Sequence, residues 1–215
     1  MIKEQFVDIA GRRTRYLTAG SGPALVLLHA AGESAADWQW ILPMLARTHR
    51  VYAPDLYSGE HRLVPTNYSP DFFSSFVGAL LTALGIARAA VIGNSLGGLI
   101  ALRLALAFPA RVTALGLIDS AGLGRLVHPA MIMSVTPAYG DFTVTWCKTP
   151  LGALQRVWTR APLLFARPGQ IPPVWYSEQY RLAQLPYFLD ATLASACADR
   201  CWRAAHCHAR SACCT

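Results

Sequence analysis

Two hydrophobic periodicities alternate along this chain. Phe6-Val7-Asp8-Ile9 and Thr14-Arg15-Tyr16-Leu17-Thr18 flank a Gly11-Arg12 turn and vary between apolar and polar in the manner of strands. Ala24-Leu25-Val26-Leu27-Leu28 is apolar throughout, lies after a Gly20-Ser21-Gly22-Pro23 loop and ends at His29. Such a run predicts a strand buried on both faces of a mainly parallel sheet. Between Ala36 and Arg47 the period lengthens, with Trp38, Ile41, Leu42 and Leu45 on one side of a predicted helix. Arg50-Val51-Tyr52-Ala53 reads as a short strand closed by Pro54-Asp55. Asp71 to Leu84 reads as a second amphipathic helix, capped near Ser69-Pro70 and stopped by Gly85. Ala89–Gly93 is then a strand, Leu96–Phe108 a helix ended at Pro109, and Arg111–Ile118 another strand.

Repeated alternation of strand and helix predicts an α/β fold with a mainly parallel, doubly wound sheet and helices on both faces. At 215 residues the chain fits one sizeable domain. The texture changes after Gly124. From Arg125 to Leu193 there are eight prolines, several aromatics and helical fragments, but no clear buried strand. The expected organisation is a core over residues 1–124, a helical lid over 125–193, and a tail of aberrant composition over 194–215.

Composition narrows the class. Hydrophobic residues at 53% and charged residues at 14% suit a packed core rather than disorder. No apolar run approaches the roughly 18–20 residues a membrane helix needs, Arg103 interrupting the longest candidate. Met1-Ile2-Lys3-Glu4-Gln5 lacks the apolar turn of a signal peptide, so a cytoplasmic location and no membrane association are expected. The net charge of +7 comes from 17 arginines against 2 lysines. These arginines (Arg12, Arg47, Arg62, Arg88, Arg103, Arg111) are scattered and not interleaved with aromatics, so no nucleic-acid partner is expected.

The chemistry concentrates at Gly93-Asn94-Ser95-Leu96-Gly97, a G-x-S-x-G motif with a strand before it and a helix after it. That spacing suits a sharp strand-to-helix turn that exposes the serine hydroxyl, with glycines where side chains would collide. The helix N-terminus adds backbone N–H groups and a positive partial charge beside the hydroxyl. Upstream, the strand Leu25–Leu28 ends in His29-Ala30-Ala31-Gly32, a small turn able to aim an N–H at a developing oxyanion.

The order of elements and motifs resembles the α/β-hydrolase fold family, in its lid-bearing branch of small esterases, carbon–carbon bond hydrolases and epoxide-type relatives. Phe6 to Gly122 carries the resemblance closely, and the segment to Leu193 loosely. Asn94 with Gly97-Gly98 is similar to the elbow of the carbon–carbon bond hydrolases. The resemblance implies that Ser95 is the catalytic nucleophile and that the N–H groups of Leu96 and Ala31 form the oxyanion hole, with Ala30 in place of the family's usual glycine. It further implies structural roles for His29 and for Asp55. No cofactor and no metal are implied, and the partner is a small-molecule substrate; no oligomeric state follows.

The resemblance also implies a triad in the order Ser, acid, His, with the acid and the histidine on strands beyond the lid. After Leu193 neither a strand nor a late Gly-His appears, so the last sheet strands and both groups are expected to be missing. Five of the six cysteines instead crowd into the last nineteen residues. Three readings of that tail compete: a frame-shifted translation, a metal site from Cys197, Cys201, His206, Cys207 and His208, or a disulfide knot. Asp119 and either His206 or His208 stand as substitute acid and base. The function expected is a serine hydrolase acting on an ester or related carbonyl of a small apolar substrate, impaired by the missing groups. The rival is a non-catalytic binding module or an inactive truncated product. An apolar sheet edge is also expected, with poor solubility or dimerisation.

Overall fold

The computed structural model describes residues 1–56, 68–124, 133 and 136–203, with backbone alone for 197–203. Six strands form one open sheet in the order β1-β2-β4-β3-β5-β6: Lys3–Ile9, Arg12–Ala19, Ala24–Leu28, Arg50–Pro54, Ala89–Asn94 and Val112–Ile118 being β1 to β6 in chain order. β1 and β2 make an antiparallel hairpin whose two turn residues, Ala10 and Gly11, both have positive φ. That is the turn geometry matching strand twist. β2 pairs antiparallel with β4, while β4, β3, β5 and β6 run parallel. The expected α/β class and mainly parallel sheet are found, with an antiparallel ribbon at one side.

The two faces of β3 explain its uninterrupted apolar run. Successive strand side chains point to opposite faces. Val26 and Leu28 join a core with Phe73, Val77 and Leu81 of helix α2 (Pro70–Ala83) and Leu96, Ile100 and Leu104 of helix α3 (Leu96–Ala107). Leu25 and Leu27 join a second core with Ala35, Trp38 and Leu42 on the other face. Ser69 caps α2 by accepting a hydrogen bond from the Phe72 N–H at 3.2 Å, and Gly85 ends it with φ +66°.

One predicted element differs. The helix expected over Ala36–Arg47 is a 3₁₀ turn, Ala35–Trp40, followed by the single α-turn α1, Leu42–Leu45. Pro43 is the cause: it has no N–H to donate and its ring excludes a continuous helix through that point, so it stands in the first turn of a new one. The expected apolar sheet edge falls at β6, where Leu115, Leu117 and Ile118 are 38%, 36% and 46% exposed and where, among the described residues, β6 pairs only with β5.

Beyond Gly124 the described structure is helical: α4 (Tyr139–Cys147), α5 (Pro150–Leu164), α6 (Pro173–Gln184) and α7 (Phe188–Arg203), with a 3₁₀ turn at Pro168–Gln170. Leu182, Ala183, Phe188 and Leu189 pack these helices onto the α2–α3 side of the sheet. α7 runs through position 194, and Ser195 on it is buried and donates to the Thr192 carbonyl at 2.9 Å. The side chains of the proposed Cys/His cluster, and all of residues 204–215, lie outside the described residues.

Candidate active site

β5 ends at Asn94 and α3 begins at Leu96, so one residue must make the whole turn. Ser95 does so at φ 52°, ψ −114°, a conformation that L-residues rarely adopt. Such a backbone costs about 1–3 kcal/mol and persists only where its surroundings over-determine it. Here they do. The Ser95 N–H donates to the Ile118 carbonyl at 3.0 Å, and the Ser95 carbonyl accepts from Gly98, Leu99 and Ala121 at 3.0, 3.2 and 3.0 Å.

The glycines around Ser95 are required by space. A Cβ on Gly93 would lie 2.1 Å from the Gly97 carbonyl oxygen, and one on Gly97 would lie 2.2 Å from that of Leu28. One on Gly98 would meet Ser120 Oγ at 2.6 Å. The start of α3 is thus pressed against the ends of β3 and β5, leaving Ser95 partly exposed. Leu96 and Gly97 occupy the first turn, where no carbonyl four residues back exists for their N–H groups. Those donors stand beside the serine with the positive end of the helix dipole.

β3 lies next to β5, with Leu28 opposite Gly93, so its exit meets the same point. There the chain turns over Ala30-Ala31-Gly32-Glu33. The Glu33 N–H donates to the Ala30 carbonyl at 3.3 Å and Gly32 has φ +73°, the arrangement of a type II turn. The one position that favours glycine is therefore Gly32, which explains how Ala30 and Ala31 are accommodated. Ala31 is the second residue of the turn.

His29 is fully committed elsewhere. Its Nε2 accepts from the Leu56 N–H at 2.9 Å, which leaves the proton on Nδ1, 2.8 Å from the Ala30 carbonyl. Burial holds the imidazole below the usual histidine range. Asp55 accepts from the Ala35 N–H at 2.7 Å and from Arg15 at 3.1 Å, fastening the strand ends to the loop after the Ala30–Glu33 turn. Both residues hold the frame. His49 precedes β4 at the opposite, N-terminal end of the parallel strands, a strand length from Ser95. Asp119 follows β6 directly. Because Ile118 pairs with Asn94, Asp119 stands level with Ser95, exposed and with φ +43°. His206 and His208, with His61 and His128, lie outside the described residues. Ser95, Leu96 and Ala31 are thus gathered at the carboxyl ends of adjacent strands, and among the described residues no histidine joins them.

A buried polar seam joins the Ala30–Glu33 turn to the helical layer, and the sequence reading missed it. Arg156 on α5 donates through Nη2 to the Gly32 carbonyl at 3.1 Å. Through Nη1 it reaches the Gln179 carbonyl and Oε1 on α6 at 3.3 and 3.0 Å. Arg160 and the Gln179 amide both hold the Glu33 carboxylate. Burial, with Arg160 adding like-charge repulsion, pulls Arg156 down to about 9. Burial, reinforced by the Glu33 carboxylate beside it, pushes Asp37 up to about 9. One signal was available in the sequence. Arg156 and Arg160 share the side of α5 that buries Ala153, Val157 and Ala161, an unusual place for charge. Among the described residues no cluster of three His, Cys, Asp or Glu side chains is placed to hold a metal, and no helix is long and apolar enough to cross a membrane.

The profile described as alpha/beta hydrolase fold matches residues 23–166, which span β3 through α5. The chain belongs to the α/β-hydrolase fold family. Among its hydrolase relatives is the 2-hydroxymuconate semialdehyde hydrolase of Pseudomonas sp. (strain CF600), 38% identical over 119 residues, 53% of this chain and 42% of that protein. Of solved structures, Cfl2 from Burkholderia cenocepacia superposes with a TM-score of 0.77 at 20% identity, over 94% of this chain and 74% of that one. A meta-cleavage product hydrolase from Pseudomonas fluorescens gives 0.69 at 23% identity, over 88% and 67%. At these identities the structures speak for the α/β-hydrolase fold alone. The chain spans about two-fifths of the length of the curated relatives it matches.

Proposed function

We propose that this α/β-hydrolase chain carries the nucleophile and oxyanion hole of a serine hydrolase acting on a small apolar molecule at an ester or related carbonyl. The observation that carries the reading is the strained Ser95 backbone, enforced by glycines with no room for a Cβ at 93 and 97. In this reading Ser95 Oγ attacks the carbonyl carbon and loses its proton to a base. The carbonyl oxygen, now negative, is stabilised by the Leu96 and Ala31 N–H groups. The intermediate then collapses, expelling the leaving group as the base returns the proton to it, and water hydrolyses the acyl-serine. The same groups would serve cleavage of a carbon–carbon bond beside a carbonyl, and the relatives include hydrolases of 2-hydroxymuconate semialdehyde and of 2-hydroxy-6-oxo-2,4-heptadienoate.

A serine hydroxyl is a weak nucleophile until a base takes its proton. His29 has its lone pair occupied and His49 is at the wrong end of the sheet. Our reading is therefore that the chain is an impaired hydrolase, Asp119 with His206 or His208 being the candidate substitutes that the labelling below tests. Because no described histidine meets Ser95, a second reading has support: a binding scaffold that keeps the elbow without its chemistry. Labelling with a fluorophosphonate, beside Ser95→Ala, separates them. Covalent labelling of the parent and none of the variant supports an activated Ser95. Absence of labelling in folded protein supports the scaffold.

A further inference from the structure

Arg156 is a charged side chain buried in the seam between the lid and the sheet, 124 residues along the chain from its partner Gly32. Stability alone is a weak reason for it to be there. Replacing a buried ionic group by an apolar one of similar volume is often neutral or stabilising. The guanidinium offers something an apolar residue does not: a rigid fork whose two nitrogens donate in different directions. One nitrogen is anchored on Gln179 of α6, and the other is delivered to the Gly32 carbonyl.

Gly32 closes the turn whose second residue is Ala31. The entry to that turn is fixed, since the Ala30 carbonyl accepts from His29 Nδ1 and from the Glu33 N–H. Its exit depends on the lid. Arg156 holds the Gly32 carbonyl, while Arg160 and Gln179 hold the Glu33 carboxylate. Even the empty side of Gly32 is lined by lid atoms: a Cβ there would meet Arg160 Nη1 and Thr192 Cγ2 at 3.3 Å and Arg156 Nη2 at 3.5 Å. A glycine-containing turn released at one end would exchange between turn types, rotating its peptide planes. The Gly32 carbonyl shares a peptide plane with the Glu33 N–H, and the Ala30 carbonyl that this N–H holds shares one with the Ala31 N–H.

We propose that Arg156 is a positioning residue of the oxyanion turn: carried by the lid, it fixes the Gly32–Glu33 peptide and with it the Glu33 N–H that, beside His29, holds the Ala30–Ala31 peptide carrying the Ala31 N–H. The proposal rests on the serine-hydrolase reading for its catalytic meaning, and on the turn itself for its physical content. It makes the lid a support of the oxyanion hole as well as a cover over it. Lid helices displaced from the sheet would leave Ser95 strained and exposed but release one of the two holds on its second oxyanion donor.

The test compares the full chain with Arg156→Gln, Arg156→Lys and Lys148→Ala. Amide hydrogen exchange at Glu33 reports the turn, exchange at Val26 and Val91 reports the fold, and the rate of fluorophosphonate labelling reports Ser95. Arg156→Gln is expected to speed exchange at Glu33 by about ten- to a hundred-fold, the range of one charge-assisted hydrogen bond, with Val26 and Val91 unchanged. Labelling slows by a similar factor. Arg156→Lys keeps the charge and the buried stem but loses the fork, so it falls between and serves if the glutamine variant does not fold. Lys148→Ala breaks a different lid ion pair, with Asp190, and leaves Glu33 exchange as it was. The proposal is overturned if Glu33 exchange is unchanged in both Arg156 variants, or rises equally in Lys148→Ala. An unlabelled parent with Arg156-dependent exchange would sink the serine-hydrolase reading and leave the clamp standing.

Discussion

Replacing Ser95 by glycine should stabilise the protein relative to replacing it by alanine, although both changes remove the same hydroxyl. Alanine keeps a Cβ on a backbone at φ 52°, ψ −114°, and so keeps the strain of about 1–3 kcal/mol. Glycine relieves it, at a cost of roughly 0.5–1 kcal/mol in unfolded-chain entropy. The balance favours Ser95→Gly over Ser95→Ala by about 0.5–2 kcal/mol. For a chain of this size about 1 kcal/mol moves the melting temperature by about 2–4 °C, so the two variants should differ by a few degrees. Urea unfolding and thermal melts of parent, Ser95→Ala and Ser95→Gly measure the difference. A glycine variant that melts at or below the alanine variant would refute the idea that the elbow stores strain, and with it the strongest support for Ser95 as a nucleophile.

Steric exclusion at the elbow predicts that Gly97→Ala, whose Cβ would sit 2.2 Å from the Leu28 carbonyl oxygen, costs at least about 3 kcal/mol, measured by urea unfolding. Gly169→Ala meets nothing within 4 Å and should stay within about 0.5 kcal/mol; similar costs for the two would contradict the packing. Asp37, pushed up to about 9, stays protonated in the folded protein while its unfolded counterpart ionises near pH 4. The folded state therefore binds the extra proton, and the stability this confers is full below about pH 4 and is lost as pH rises towards 9. Asp37→Asn should flatten that slope in melts taken from pH 5 to 9, and parallel curves would count against it. At the β6 edge, Leu115→Lys with Leu117→Lys should reduce self-association in light scattering while leaving the melting temperature within a few degrees, because both side chains are already more than a third exposed.

What the sequence revealed, it revealed through local constraints. The elbow was legible because Gly93, Ser95 and Gly97 fall within five residues, although Leu28, far along the chain, supplies the contact that excludes a Cβ at Gly97. The buried parallel strand Ala24–Leu28 was legible because both its faces meet apolar neighbours. Spacing misled over Ala36–Arg47, where the apolar positions have helical period but Pro43 breaks the hydrogen-bond ladder. At β6 the apolar edge expected from the sequence is present, with Leu115, Leu117 and Ile118 exposed. The seam of Glu33, Arg156, Arg160 and Gln179 joins residues more than 120 positions apart, so no window along the chain contains it. Its trace was an arginine pair on the apolar side of α5.

The labelling experiment and the Ser95→Gly melt together separate two parts of the site that the fold builds independently. Ser95 is held by the Ile118 carbonyl, by three N–H donors onto its own carbonyl, and by glycines pressed on β3 and β5. None of these contacts involves a general base, so the elbow keeps its strain whether or not a histidine reaches the hydroxyl. The Leu96 N–H is likewise a consequence of where α3 starts. Proton removal depends on groups outside this frame, as does the support of the second donor, the Ala31 N–H. A glycine variant more stable than the alanine variant, in a protein that resists fluorophosphonate, would therefore assign the defect to the base and leave the elbow intact. Strain and labelling both present would require a histidine at Ser95 from outside the described residues, and exchanging His61, His128, His206 and His208 for asparagine one at a time would identify which supplies the base.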